Sequence, residues 1–225
     1  MHEEPGMAEL CFGLEASVRQ ARLEKEAKFR ALINEMQRRQ ASGQKGPATD
    51  PLAAHRLLYP TLSPEELRQR REAYGAVKWS EEALAAAAAA SPLVEVGAGR
   101  GQWQRALAER GVDIIAFDDL SSPTARVGAL GQVAKGSEEV VKEHGNRSLL
   151  LVYPNPGPMA VRCLDNYTGS TLVYVGEGRG GVNADDAFFD ALLREWILIG
   201  SHAVEPLPDC YERLWLLRRA SSQHK

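Results

Sequence analysis

The 225-residue chain is poor in the features that announce a metal site, a membrane span or a nucleic-acid face. It has three cysteines, Cys11, Cys163 and Cys210, which are far apart and odd in number. No C-x-x-C pair occurs, which argues against a zinc site or a disulfide framework, so no metal is expected and the thiols are expected to be reduced. There is no basic excess: 27 Lys and Arg stand against 30 Asp and Glu, for a net charge of −3. A global field attracting nucleic acid is therefore absent. No apolar run reaches the ~18 residues of a membrane helix; the run from Leu84 to Ala90 is mostly alanine and too short. The acidic start, Met-His-Glu-Glu-Pro-Gly, disfavours a secretory signal or presequence at that point. A cytoplasmic location is expected. His55, His144 and His202 are isolated in sequence and read as surface or satisfied histidines.

The chain is organised around Pro92 to Leu120. Leu93, Val94 and Val96 form the short apolar run of a buried parallel strand. Gly97, Gly99 and Gly101 follow at once. Gln102 to Arg110 then has helical spacing, with Trp103, Ala106, Leu107 and Arg110 at i, i+3, i+4 and i+7, and Gly111 stops it. A second apolar run, Val112 to Phe117, ends on Asp118 and Asp119. Strand, glycine loop, helix, strand and acid make one βαβ unit with a nucleotide-type site at its crossover. Glycines let the main chain turn with positive φ and let a ligand approach it. The loop N–H groups and the helix start favour an anionic group. A carboxylate at the tip of the second strand suits the two hydroxyls of a ribose. The dinucleotide fingerprint is G-x-G-x-x-G, whereas the third glycine here comes one place early.

Val-Glu-Val-Gly-Ala-Gly-Arg-Gly resembles motif I of the class I S-adenosylmethionine-dependent methyltransferases. From about Tyr74 to Arg218 the chain also looks like a group of uncharacterised methyltransferase-like proteins. That likeness rests on Trp79 to Leu84, Val94 to Trp103, Leu149 to Pro154, Tyr174 to Gly178 and Asp185 to Trp196. The resemblance implies S-adenosyl-L-methionine as cofactor, with backbone approach at Gly97, Ala98, Gly99 and Gly101. It implies Glu95 near the methionine end, Asp118 on the ribose and Ser137 near the adenine. In methyltransferases acting on amino groups the fourth strand often ends in Asn-Pro-Pro-Tyr or Asp-Pro-Pro-Tyr. Here it ends Tyr153-Pro154-Asn155-Pro156-Gly157, with the ingredients in another order. Tyr153, Pro154 and Asn155 are the candidates for facing the methyl donor. The methyl acceptor is not legible. A catalytically silent module that binds the cofactor or a partner is the alternative.

Around that unit the pattern predicts a single α/β domain with a helical extension. Leu10 to Gln40 reads as one long helix with Phe29, Leu32, Ile33 and Met36 on one face and a basic polar face, eight Lys or Arg against four Glu between 15 and 45. It either packs on its own domain or a dimer mate, or docks a partner. Ala41 to Pro51 is a linker by composition. Ser63-Pro64-Glu65-Glu66 is a capping box with proline at N1, and Ser80-Glu81-Glu82 starts the alanine-rich helix that follows. Further strands are expected at 132–134, 148–153, 171–175, 197–204 and 211–218, the last two joined by a connection too short for a crossover helix. The fold expected is a doubly wound, Rossmann-like seven-stranded sheet with a C-terminal antiparallel hairpin. The divisions are 1–46 (helical extension and linker), 47–91 (helical lead-in) and 92–220 (Rossmann-like domain).

Overall fold

The structure is a computed structural model, and it describes residues 6–12, 16–42 and 52–221. Seven strands form one mixed sheet: β1 (Leu93–Val96), β2 (Ile114–Asp118), β3 (Ala134–Lys135), β4 (Ser148–Val152), β5 (Thr171–Gly176), β6 (Trp196–Ala203) and β7 (Arg213–Arg219). Their order is β3-β2-β1-β4-β5-β7-β6. The first five run parallel, and β7 lies antiparallel between β5 and β6. This is the doubly wound sheet with a terminal antiparallel pair that the sequence predicts.

The strands alternate between two apolar layers because successive side chains point to opposite faces. Val94, Val96, Leu149, Leu151, Leu172 and Tyr174 face one core with Phe188, Phe189 and Trp215. Leu93, Leu150, Val173 and Val175 face the other with Leu84, Trp103 and Leu107. Burial on both faces explains why these strands read as continuous apolar runs. The helices are α1 (Met7–Phe12), α2 (Ala16–Ala41), α3 (Ala53–Leu58), α4 (Pro64–Tyr74), α5 (Glu81–Ala89), α6 (Gln102–Ala108), α7 (Pro123–Arg126), α8 (Met159–Asn166) and α9 (Asp186–Glu195). Residues 138–143 form a 3-10 helix.

Local chemistry sets most boundaries. Ser63 and Glu66 close the capping box at α4, and Gly75 caps its end after Tyr74. Ser80 caps α5 and Asp185 caps α9. One expectation changes and another is left open. The long N-terminal helix is described as α1 and α2, and its expected continuity falls on residues 13–15, which lie outside the described set. The third strand shrinks to two exposed residues because Gln132 is drawn away, its N–H bonding the Gln104 side chain at 2.7 Å. The predicted linker falls on residues that lie mostly outside the described set. Among the described residues no helix is long and apolar enough to cross a membrane.

Candidate functional site

Chain order runs outward in opposite directions from β1 and β4, so the switch point of the sheet lies between them, where α/β sheets place ligands beyond the strand ends. A groove of about 260 Å³ opens there, walled by the ends of β1, β2 and β4. Gly97, Gly99, Asp118, Ser137, Tyr153, Pro154 and Asn155 all line it, with Asp119 and Met159. Residues 40 and more apart in sequence thus converge on one crevice. Glu95, Ala98 and Gly101 do not line it.

The glycine loop has two different jobs. At Gly99, φ is +57° and a Cβ would meet nothing within 4 Å, so the main chain there is bare toward the groove. At Gly101, φ is +78° and a Cβ would stand 2.6 Å from Val133 Cγ2. Gly101 therefore serves the packing of the α6 start against residues 131–133.

Asp118 is 8% exposed and ends β2. Its Oδ2 accepts the Gly99 N–H at 2.8 Å and its Oδ1 accepts the Leu120 N–H at 2.7 Å. Each oxygen keeps further acceptor capacity, since an ionised carboxylate offers about four lone-pair sites. Asp119 is exposed and accepts the Ser121 N–H at 2.8 Å, which holds its carboxyl below the usual range. Glu95 is buried beneath the loop on the α6 side, where the Gln104 backbone N–H bonds it; its Oε2 has no partner among the described residues. Burial, and next the charge of Asp118, raise its carboxyl to about 8.

Tyr153 has φ +50°, a left-handed conformation that side chains rarely adopt. Burial, and next the charge of Glu212, push its phenol to about 12. The Pro154 carbonyl already accepts the Ala184 N–H at 3.0 Å and Asn183 Nδ2 at 3.3 Å, which fills both of its lone pairs. Asn155 is exposed at the rim. Arg100 is held by the Gly128 carbonyl at 2.8 Å and by Glu72. Trp79 packs edge-on to Tyr74 and Trp103 against the core.

Sequence reasoning passed over a second cluster at the same strand edge. Glu177 follows β5 and is fully buried. Arg22 of α2 grips it with two bonds of 2.7 Å, and the N–H groups of Val182 and Tyr211 donate to it at 2.9 Å each. Glu177, Cys210 and Glu212 present ligand atoms within 4.8 Å of one another. Glu177 has four donors already and burial raises the Cys210 thiol to about 12, which leaves Glu212 alone with an unspent oxygen, too few ligands for a cation. The available signal was a lone acid between glycines, Gly176-Glu177-Gly178, at a strand end. Loop 177–183 is tied down: the Arg179 N–H reaches Leu10 O and its side chain reaches Cys11 O, Asp186 and Asp190.

No family model matches the chain, and no curated protein matches it. Solved structures do. Magnesium protoporphyrin IX methyltransferase from Synechocystis with bound SAH aligns at a TM-score of 0.45 and 10% identity, over 74% of this chain and 100% of that one. The same enzyme with bound SAM gives 0.44 and 13%, over 62% and 77%. Burkholderia thailandensis 1,6-didemethyltoxoflavin-N1-methyltransferase, with 1,6-didemethyltoxoflavin and S-adenosylhomocysteine bound, gives 0.41 and 17%, over 63% and 78%. The chain's own strand order, with β7 inserted antiparallel beside β5, is that of the class I methyltransferase fold.

Proposed function

We propose that the protein transfers a methyl group from S-adenosylmethionine. The observation that carries this reading is the convergence of the bare Gly99 backbone, the Asp118 carboxylate and Ser137 on one groove at the switch point. The residues fit the group. Asp118 has one acceptor site per oxygen left for two ribose hydroxyls, Gly97 and Gly99 present main chain without side chains, and Ser137 stands beyond β3 for the adenine edge. The bound group would supply an electrophilic methyl on a sulfonium. What the protein must then provide is alignment more than a strong acid or base, which agrees with the isolated histidines. Tyr153, just past the end of β4, lines the same groove.

A second reading, a methyltransferase-like module without turnover, is supported by one observation. The Pro154 carbonyl, which a strand-end motif for amino groups would offer to the acceptor, is already saturated. Fold alone does not establish activity. Calorimetry with S-adenosylhomocysteine tests the first reading, with dissociation constants on the order of micromolar expected. Absence of heat from folded protein would sink both readings of the groove. Binding without methyl transfer to any cell extract would favour the second.

A further inference from the structure

Beside the groove lies a larger cavity, about 500 Å³, between α2, the end of α3 and the β6–β7 connection. That volume suits a small organic molecule. Tyr153 lines the groove, and the charges that act on its phenol include those of Cys210 and Tyr59, which line the cavity. Apolar surface dominates the wall, chiefly Phe29, Leu58, Tyr59, Val182, Pro208 and Tyr211.

The charges of this wall cancel internally. Arg22 is bound to Glu177, Lys25 to Asp209 at 2.7 Å and Arg30 to Glu26 at 3.5 Å. A charged ligand would give up water and find each opposite charge already taken, which is costly. One polar group at this edge is unspent. Glu212 is 5% exposed, its Oε2 has no partner among the described residues, and its carboxyl lies within 4.8 Å of the Cys210 sulfur on the cavity wall. A buried polar atom without a partner in a native fold calls for an explanation.

We propose that this cavity is the methyl-acceptor chamber and takes a neutral, flat, largely apolar molecule whose single O–H or N–H faces Glu212, an assignment that rests on the methyltransferase reading above. In the transfer, the acceptor's oxygen or nitrogen lone pair forms the new bond to the methyl carbon. The carbon–sulfur pair returns to sulfur, and the acceptor's proton passes to the Glu212 carboxylate. Burial holds that carboxyl at about 7, so both its forms are populated at neutral pH.

The test is calorimetry on the full chain with 2-naphthol, 2-methylnaphthalene and naphthalene-2-sulfonate, with and without S-adenosylhomocysteine. Naphthol is expected to bind with the cofactor product present, at least about tenfold more tightly than the sulfonate. It should also exceed 2-methylnaphthalene by about tenfold, a preference that Glu212→Leu abolishes. Ala21→Trp, which fills the cavity, should weaken naphthol at least about tenfold and leave S-adenosylhomocysteine unchanged, while Ala27→Trp on an exposed position of the same helix changes neither. Equal affinity for the sulfonate, a naphthol affinity unmoved by Ala21→Trp, or a naphthol preference surviving Glu212→Leu overturns the assignment. Loss of S-adenosylhomocysteine binding in the parent protein overturns instead the function proposed above, so the two failures are distinguishable.

Discussion

The groove and the cavity sit on the same edge of the sheet and are built in opposite ways. The groove gathers glycine main chain and strand-end side chains from β1, β2 and β4, and Asp118 keeps acceptor sites unspent. The cavity is made of side chains from α2, α3 and the β6–β7 connection, and its ions are spent on one another. The difference separates what each tolerates. A backbone site survives the loss of a distant contact, whereas a site walled by a docked helix depends on the pair that docks it.

The largest expected effect breaks that pair. Glu177 is fully buried and the Arg22 side chain is 17% exposed. Removing one partner of a buried ion pair costs about 3–5 kcal/mol, because the other charge stays behind. Arg22→Ala should fall at the low end of that range, since two backbone N–H groups still hold Glu177. Urea melts read the loss as a lower midpoint. S-Adenosylhomocysteine affinity at the groove should stay within about threefold of the parent. A large loss of cofactor affinity would mean that the two regions are one cooperative site.

Asp118→Ala makes the converse break. Losing the charge-assisted bonds to ribose, about 1.5–4 kcal/mol together, makes the expected weakening of S-adenosylhomocysteine on the order of 10- to 1000-fold. The cavity and the Arg22–Glu177 pair should not register it: 2-naphthol affinity should hold.

The same contrast decides what was legible in the sequence. The β1–β2 unit was, because glycine conformation, apolar runs and a strand-end acid are local properties. The helix starts at Ser63 and Ser80 were, for the same reason. The cavity was not. Arg22 and Glu177 are 155 residues apart, and in sequence each is one charge among many. Nor was the duty of Gly101, whose need for no side chain comes from Val133, across a turn that no pattern specifies. Glu95 was noticed, but only the strand parity shows it facing α6 with Leu93 and away from the groove.

That burial also predicts a pH effect, read as a slope. Between about 4.5 and about 8 the unfolded chain releases the Glu95 proton while the folded chain keeps it. Stability therefore declines as pH rises through that window, by at most about 1.4 kcal/mol per pH unit from this group. Glu95→Gln should make the slope of stability against pH shallower than in the parent, the remainder coming from groups such as Glu212. The comparison sharpens the two regions further, because Arg22→Ala should lower the curve without removing this slope. Identical slopes for parent and Glu95→Gln would show that Glu95 is already ionised in the folded protein.

The smallest expected effect lies one residue from the second largest. Asp118 and Asp119 are adjacent, and side chains alternate across a strand. Asp118 shares the parity of Ile114, which packs on the α6 side, and its carboxylate turns inward to the Gly99 N–H. Asp119 shares the parity of Ile115 and Phe117, which pack on the other layer, and its exposed carboxylate turns to Ser121. Both border the groove, so lining alone does not choose between them. What does is the bond to Gly99: the acid held against the bare glycine main chain is placed with the loop amides, while the other is held by the turn that follows the strand. Asp119→Ala should therefore cost several-fold at most, about 1 kcal/mol or less of S-adenosylhomocysteine affinity by calorimetry. Its loss should show mainly as a looser 119–122 turn, read as faster amide exchange at Ser121. If Asp119→Ala abolishes binding while Asp118→Ala spares it, Asp118 is a loop brace and the ribose is read from the opposite face of β2.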